Sequence, residues 1–399
     1  MIDLENISFD HCIKCTVCTA YCPVARVTPL YPGPKSSGPD TERLRIKNPE
    51  LVDDTLSYCT NCKRCEIVCP SDVRIADIIQ KARHRHAKSA LRPRDFFMSR
   101  TDLAGSAATI LPSVVNAMTR NRAVKWGMDR LVGISDSAQM PKYASGTFRR
   151  KFAKRADEQA KFSRKLVYFT GCYVNYFDHE LGNNLVRVLN ALGYGVDITK
   201  EKCCGVPLIA NGFIKKAQKN ARHNVDALKA AAGRDVAIVA SSSSCAYALS
   251  NEYPNILSID NSRIAPRIRF ITRFLAEEAA AGNLPELKPV PVKAVYHAPC
   301  HLSRMGGAVH TVDILRRIPE LKLIMPATEC CGLSGTYGFK KEYAKVATDV
   351  GEKLFGQIAA ENPDVVVTDC ETCKWQIEAH TPYKVVHPVT LLAEAMFGG

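Results

Sequence analysis

Two cysteine runs of identical spacing dominate the N-terminal part of the chain. Cys12, Cys15, Cys18 and Cys22-Pro23 spell C-x2-C-x2-C-x3-C-P, and Cys59, Cys62, Cys65 and Cys69-Pro70 repeat it. This is the spacing with which bacterial two-cluster ferredoxins hold a pair of [4Fe–4S] groups. Three cysteines at i, i+3 and i+6 reach the corners of one cube, while the fourth points away and needs the other run. The spacing therefore predicts one cube on Cys12, Cys15, Cys18 and Cys69, and a second on Cys22, Cys59, Cys62 and Cys65. A zinc site closes on four ligands from paired C-x2-C units and fits a duplicated run ending in Cys-Pro badly. Lys14, Lys63 and Arg64 stand between these cysteines, either as charges that raise a cluster potential or as solvent-exposed residues near a partner surface.

The remaining nine of the 17 cysteines fall into a duplication that begins near residue 166. The first half opens on the apolar run Leu166–Thr170 followed by Cys172. It passes through CCGVPLIANGF at 203–213 and closes on DVAIVASSSSC, ending at Cys245. The second opens on Ala294–His297 followed by Cys300, passes through CCGLSGTYGF from Cys330 and Cys331, and closes on DVVVTDCETC with Cys370 and Cys373. Each half reads strand, helix, strand, CCG loop, helix, strand, loop, the pattern of βαβ units and a mainly parallel sheet. The cysteines follow the strands, where α/β folds place their ligand sites. Eight, four and five cysteines fill three sets, and none is left over.

This pattern resembles the CCG domain of the heterodisulfide reductase, glycolate oxidase iron–sulfur subunit and lactate-utilisation families. The resemblance implies that Cys300, Cys330, Cys331, Cys370 and Cys373 hold a noncubane iron–sulfur cluster, because the second half matches the five-cysteine form completely. The first half departs from it: Ser242 stands where the first cysteine of the final C-x2-C is expected. Its four cysteines, Cys172, Cys203, Cys204 and Cys245, suffice for zinc, an ordinary iron–sulfur cluster or a degenerate structural site. A redox-active vicinal thiol pair is a further alternative at the Cys-Cys steps. His297 and His301 flank Cys300 and His387 lies near the C-terminus, either as proton shuttles or as hydrogen-bonded structural residues.

The stretches FDHCIKCTVCTAYCPVARVTPLYPGPKSSGPDTERLRIK, YCTNCKRCEIVCPSDVRIADIIQKAR, KEKCCGVPLIANGF and CCGLSGTYGFKKE, with VVVTDCETCKWQIE near the end, are similar to the iron–sulfur subunits of anaerobic glycerol-3-phosphate dehydrogenases. The likeness spans nearly the whole chain and is weakest over 90–165. It implies a subunit that accepts electrons from a flavoprotein pair, passes them to membrane quinone, and tethers the assembly to the cytoplasmic face of the inner membrane. The residues agree on one negative point: there is no G-x-G-x-x-G dinucleotide fingerprint and no nucleophile elbow, and no residue stands out as catalytic.

Charge sharpens the picture. The formal net charge of +14 is confined to residues 81–165, which carry 20 basic and 6 acidic side chains, while the flanking parts are nearly neutral. Within this block Leu103, Ala107, Leu111, Val114 and Met118 recur at helical spacing, interrupted by Pro112. Val124, Met128, Leu131 and Val132 continue the stripe beside Arg122, Lys125, Trp126 and Arg130. The uncharged stretch 103–119 is too short and too polar to span a bilayer, but a stripe flanked by basic residues and Trp suits a helix lying in the interface. An amphipathic helix packed on a neighbouring domain is the alternative. The N-terminus has no basic region leading into an apolar stretch, so no secretory signal is expected, and abundant thiols then read as metal ligands rather than a disulfide scaffold.

The expected organisation is thus α+β and multidomain. An α-helical ferredoxin domain with two [4Fe–4S] clusters covers 1–90 and a basic amphipathic segment covers 91–165. Two α/β CCG repeats with mainly parallel sheets follow at 166–283 and 292–399. The expected function is electron transfer, with flavoprotein subunits, quinone and an anionic membrane surface as partners and no nucleic acid. The iron–sulfur subunit of another hydroxy-acid (glycolate or lactate) oxidase and a heterodisulfide-reductase-like catalytic subunit are the alternatives.

Overall fold

The computed structural model describes residues 11–51, 53–86, 93–233 and 235–398. The expected boundary at residue 90 lies outside them. Among the described residues of the first module there are helices and turns but no strands. Helix Ile75–His86 buries Ile75, Ala76, Ile79 and Ala82 on one face and carries Asp77 in its first turn, where the helix dipole favours an acid. That face packs with Val24, Tyr31, Leu56 and Val73, and with Cys18, Cys22, Cys59 and Cys65. Cys330 and Val350 of the second repeat complete the same core.

The basic segment forms helices Pro93–Ser99, Thr101–Ala108, Pro112–Arg120 and Arg122–Gly127. Pro112 opens its helix at the first turn, the one place where a missing N–H costs nothing. The segment is not a free tether. The Arg94 guanidinium, 4% exposed, forks onto Glu342 at 2.7 and 2.8 Å and donates to the Gly133 carbonyl at 2.7 Å. Further on, Phe148 and Phe152 insert into the core of the first repeat.

Each repeat is built on a four-stranded, all-parallel sheet. In the first, β1 (Arg164–Phe169), β2 (Tyr194–Ile198), β3 (Ile238–Ala240) and β4 (Ile268–Phe270) lie in the order β2-β1-β3-β4. In the second, β5 (Lys293–His297), β6 (Lys322–Ile324), β7 (Val365–Thr368) and β8 (Val385–Val386) lie in the order β6-β5-β7-β8. Val167 pairs with Ile238 and Val295 with Val366, so the two sheets share order and register. Leu166–Phe169 and Val365–Thr368 are buried throughout, as parallel strands covered on both faces must be. The equivalence extends to side chains, since Tyr168 meets Ser241 at 2.8 Å where Tyr296 donates to Asp369 at 2.7 Å. Leu302, Ile314, Val389 and Leu392 of the second repeat enter the first repeat's core, so the two halves fold as one body.

Candidate metal centres

The two ferredoxin-like runs bend alike. Lys14 and Thr16 in the first run, and Asn61 and Lys63 in the second, hold φ between 54° and 63° at matching positions between cysteines. Each such non-glycine residue costs about 1–2 kcal/mol in this conformation, a strain typical of sites where backbone shape serves a ligand. The result is two cysteine-lined cavities. One, with about 300 Å³ of space between atoms, is lined by Cys22, Cys59, Cys62 and Cys65 with Val24 and Tyr31. The other, of about 290 Å³, is lined by Cys12, Cys15, Cys18 and Cys69 with Ile75. Burial pushes the thiols of Cys18, Cys59 and Cys65 upward, and that of Cys22 to about 12. Iron would bind these side chains as thiolates, so loading such a site would release their protons. A cavity walled by four thiols and apolar side chains fits an iron–sulfur cube.

Lys63 is not solvent-exposed. Its side chain is wholly buried, pairs with Asp77 and lies 3.7 Å from Glu66. Burial alone would push the ammonium down, but the two carboxylates outweigh it. Arg64 is half-buried and donates to the Thr328 carbonyl at 3.0 Å, whereas Lys14 is exposed.

These contacts seat the second run on the loop that carries Cys330 and Cys331. Arg26 pairs with Glu329 at 2.8 Å, and the Ser334 hydroxyl donates to the Thr60 carbonyl at 2.6 Å. Cys330 consequently shares a core with Cys59 and Cys65 of the second run, and burial pushes the thiols of Cys300 and Cys330 well up. On the other side Asn61 donates to Glu252 at 2.8 Å, and His301 donates from Nε2 to the Asn61 carbonyl while stacking on Tyr247. The second run therefore touches both repeats at their junction.

In the second repeat Cys300 opens a helix just after β5, and Cys370 stands at the N-terminus of helix Glu371–His380 after β7. Gly332 holds φ at +87°, and a Cβ there would lie 1.9 Å from the Ala347 carbonyl oxygen, so the third position of the CCG loop admits glycine alone. The Cys370 thiol is drawn down to about 6 by a hydrogen bond from Cys373, aided by Thr372. Cys373 in turn contacts Cys331. All five cysteines of this repeat gather around one buried region, a thiol-rich donor set that suits soft iron.

In the first repeat Cys172, Cys203, Cys204 and Cys245 form a chain of neighbouring thiols. Hydrogen bonds from Cys172 and Cys204 pull the Cys203 thiol well below its usual range, while those of Cys172 and Cys204 are raised. Ser242 points elsewhere, accepting from the Cys245 amide at 3.3 Å and donating to Glu371 of the other repeat at 3.0 Å. A residue that no sequence signal marked completes this site: the Thr101 hydroxyl lies 3.2 Å from the Cys172 sulfur and 3.5 Å from that of Cys203. Among the described residues no three Cys, His, Asp or Glu side chains converge on a point fit for a single metal ion. All 17 cysteines are unpaired. Burial lowers His297, His301 and His387 to about 4, so all three are neutral, and His387 is spent on the Ser241 carbonyl and the Val389 amide.

Comparison with known proteins agrees with this geometry. A family described as a cysteine-rich domain, CCG, matches residues 166–250 and again 294–378, and a 4Fe-4S dicluster domain matches 8–73. One of the subunits of the anaerobic glycerol-3-phosphate dehydrogenase of Escherichia coli K12 is 48% identical over 395 residues, covering 98% of this chain and 100% of the relative. A fumarate reductase (CoM/CoB) subunit of Methanothermobacter marburgensis is 27% identical, covering 92% of this chain and 67% of the relative. A heterodisulfide reductase subunit of Methanosarcina barkeri is 25% identical over 94% and 90% of the two chains. The cysteine-rich domains and the dicluster domain make this an iron–sulfur protein.

Proposed function

Because the chain belongs to the family of iron–sulfur subunits of anaerobic glycerol-3-phosphate dehydrogenases, we propose that it carries electrons from a flavoprotein partner oxidising glycerol 3-phosphate to membrane quinone. Iron–sulfur groups supply one-electron redox chemistry when bound. The chain's part is to order them. Cys12, Cys15, Cys18 and Cys69 hold one cube near the surface, where Cys15 is exposed, and Cys22, Cys59, Cys62 and Cys65 hold the second inside. Cys300, Cys330, Cys331, Cys370 and Cys373 hold a noncubane cluster, and Cys172, Cys203, Cys204 and Cys245 a further iron–sulfur group. The observation that carries this reading is the seating of the second run on the Cys330 loop, through Arg64 to the Thr328 carbonyl and Ser334 to the Thr60 carbonyl, with Cys59, Cys65 and Cys330 in one core.

The basic segment gives the outward end of the path. Exposed large apolar side chains concentrate between 96 and 132, including Phe97, Leu103, Ile110, Leu111, Trp126 and Leu131. Arg130 lies over the Trp126 ring. Among the described residues no helix is long and apolar enough to cross a membrane. An exposed apolar stripe with basic flanks supports peripheral attachment to an anionic membrane, at its cytoplasmic face.

The test is co-purification with flavoprotein subunits followed by anaerobic addition of substrate. Bleaching of the iron–sulfur absorbance by glycerol 3-phosphate is the expected result. Bleaching by lactate or glycolate alone would assign the chain to another dehydrogenase.

A further inference from the structure

A groove between the basic segment and the first repeat has no role in the electron path described above. It runs between helices Phe148–Phe152 and Ala156–Ala160, the end of β2 and the end of helix Gly171–Tyr176, with about 1300 Å³ of space between atoms open to solvent. Arg149, Arg150, Lys165 and Lys200 line it against a single acid, Asp197. Arg149 is engaged by Glu201, and Lys165 donates to the Gln159 carbonyl. Arg150 and Lys200 have no side-chain partner among the described residues and are exposed. The hydroxyls of Ser106 and Thr147 add donors, and Phe152, Tyr176 and Val196 supply an apolar wall. Such a lining offers cations and hydroxyls for a phosphate beside an apolar wall.

The setting selects the source of the phosphate. Ser106 belongs to helix Thr101–Ala108, and the Gly146 amide donates to the Thr109 carbonyl at 2.9 Å, tying the groove's edge to the chain just before Ile110. Ile110 and Leu111, 76% and 63% exposed, thus stand beside the groove's Ser106–Thr147 side. Cations in a groove beside exposed apolar side chains are the arrangement that takes a lipid headgroup while the neighbouring side chains enter the acyl region.

We propose that this groove is a binding site for the headgroup phosphate of an anionic phospholipid, with Arg150 and Lys200 as its contacting cations. The inference rests on the membrane-attachment reading above and adds a discrete site to it. It goes beyond general attraction between a basic segment and a charged surface, because it names two residues outside the apolar stripe.

Vesicle flotation of the full chain with its iron–sulfur groups in place tests it, using phosphatidylcholine with and without phosphatidylglycerol. The expected result is stronger binding with phosphatidylglycerol. The double variant Arg150→Glu/Lys200→Glu should lose at least tenfold on those vesicles, since each basic residue near such a surface contributes about a factor of five. It should keep wild-type iron content and wild-type binding to pure phosphatidylcholine, whereas Ile110→Ser/Leu111→Ser should weaken both. Arg150→Lys/Lys200→Arg should restore binding. If the charge-reversed variant binds phosphatidylglycerol vesicles like wild type while the Ile110 variant does not, attachment stands and the headgroup site is overturned. If the wild-type chain floats with neither vesicle, both fall. Displacement by free glycerophosphoglycerol at the lipid's own concentration would overturn the lipid as the ligand's source.

Discussion

Replacing Thr101 by valine removes one hydroxyl and almost nothing else, and it should lower the redox potential of the iron–sulfur group proposed for the first repeat. The Thr101 hydroxyl approaches two sulfurs, Cys172 at 3.2 Å and Cys203 at 3.5 Å. One hydroxyl has one proton, so the two contacts amount to a single shared hydrogen bond, worth about 0.5–1.5 kcal/mol net. A donor aimed at ligand sulfur stabilises the more negative, reduced state and so raises the potential. For a one-electron couple a tenfold change is about 59 mV, so Thr101→Val should lower the midpoint by about 20–65 mV. Thr101→Ser keeps the donor and should stay near wild type. A potentiometric titration followed by EPR, on the full chain, reads the effect, with the other iron–sulfur signals as internal controls. A change below about 10 mV, roughly 0.2 kcal/mol, would refute the reasoning, as would a rise in potential. So would the absence of any redox signal that disappears with Cys245→Ala.

Two further outcomes follow from the junction and the CCG loops. Glu252 is fully buried and its carboxyl is raised to about 7, chiefly by that burial, with the Lys63 ammonium offsetting part of it. Its contribution to stability is therefore complete below the unfolded value near 4.5 and is lost as pH rises through about 7, an effect of about 3 kcal/mol. Glu252→Gln, which still accepts from Asn61, should flatten this loss and melt higher than wild type at pH 8 but not at pH 5; parallel melting curves at both pH values would contradict it. At the CCG loops Gly332→Ala should abolish the second repeat's metal binding, because its Cβ meets the Ala347 carbonyl at 1.9 Å. Gly205→Ala, whose nearest neighbour is 3.6 Å away, should cost only the left-handed strain of about 1–2 kcal/mol, and iron per chain distinguishes the two.

Local chemistry was legible in the sequence where a residue type and a spacing act together. The two C-x2-C-x2-C-x3-C-P runs and the duplicated CCG loops are such patterns, and three strands of each sheet follow from apolar runs. The fourth strands, β4 and β8, follow the closing cysteine loops, beyond the duplicated pattern that marks the other three. Ser242 marks the asymmetry of the repeats, but its bond to Glu371 depends on how the halves face one another. Thr101 is invisible for the same reason: a hydroxyl in a basic stretch becomes significant only when its helix docks on Cys172 and Cys203. Lys63 reads as a surface residue because charge is ordinarily a surface signal, and only the fold brings the buried Asp77 and Glu66 around its ammonium. The basic segment, for which packing on a neighbouring domain was one of two expectations, owes its docking to Arg94, Phe148 and Phe152, none of which belongs to a recognisable motif.

The central claim is that the second run's cube and the second repeat's group are neighbours in one electron path. EPR of the fully reduced chain tests this most directly, through spin–spin interaction between the two. The expected signal from the Cys22, Cys59, Cys62, Cys65 group is broadened in the wild type and sharpens in Cys370→Ala/Cys373→Ala, with the Cys12, Cys15, Cys18, Cys69 group unchanged. Identical, non-interacting signals in wild type and variant would contradict it.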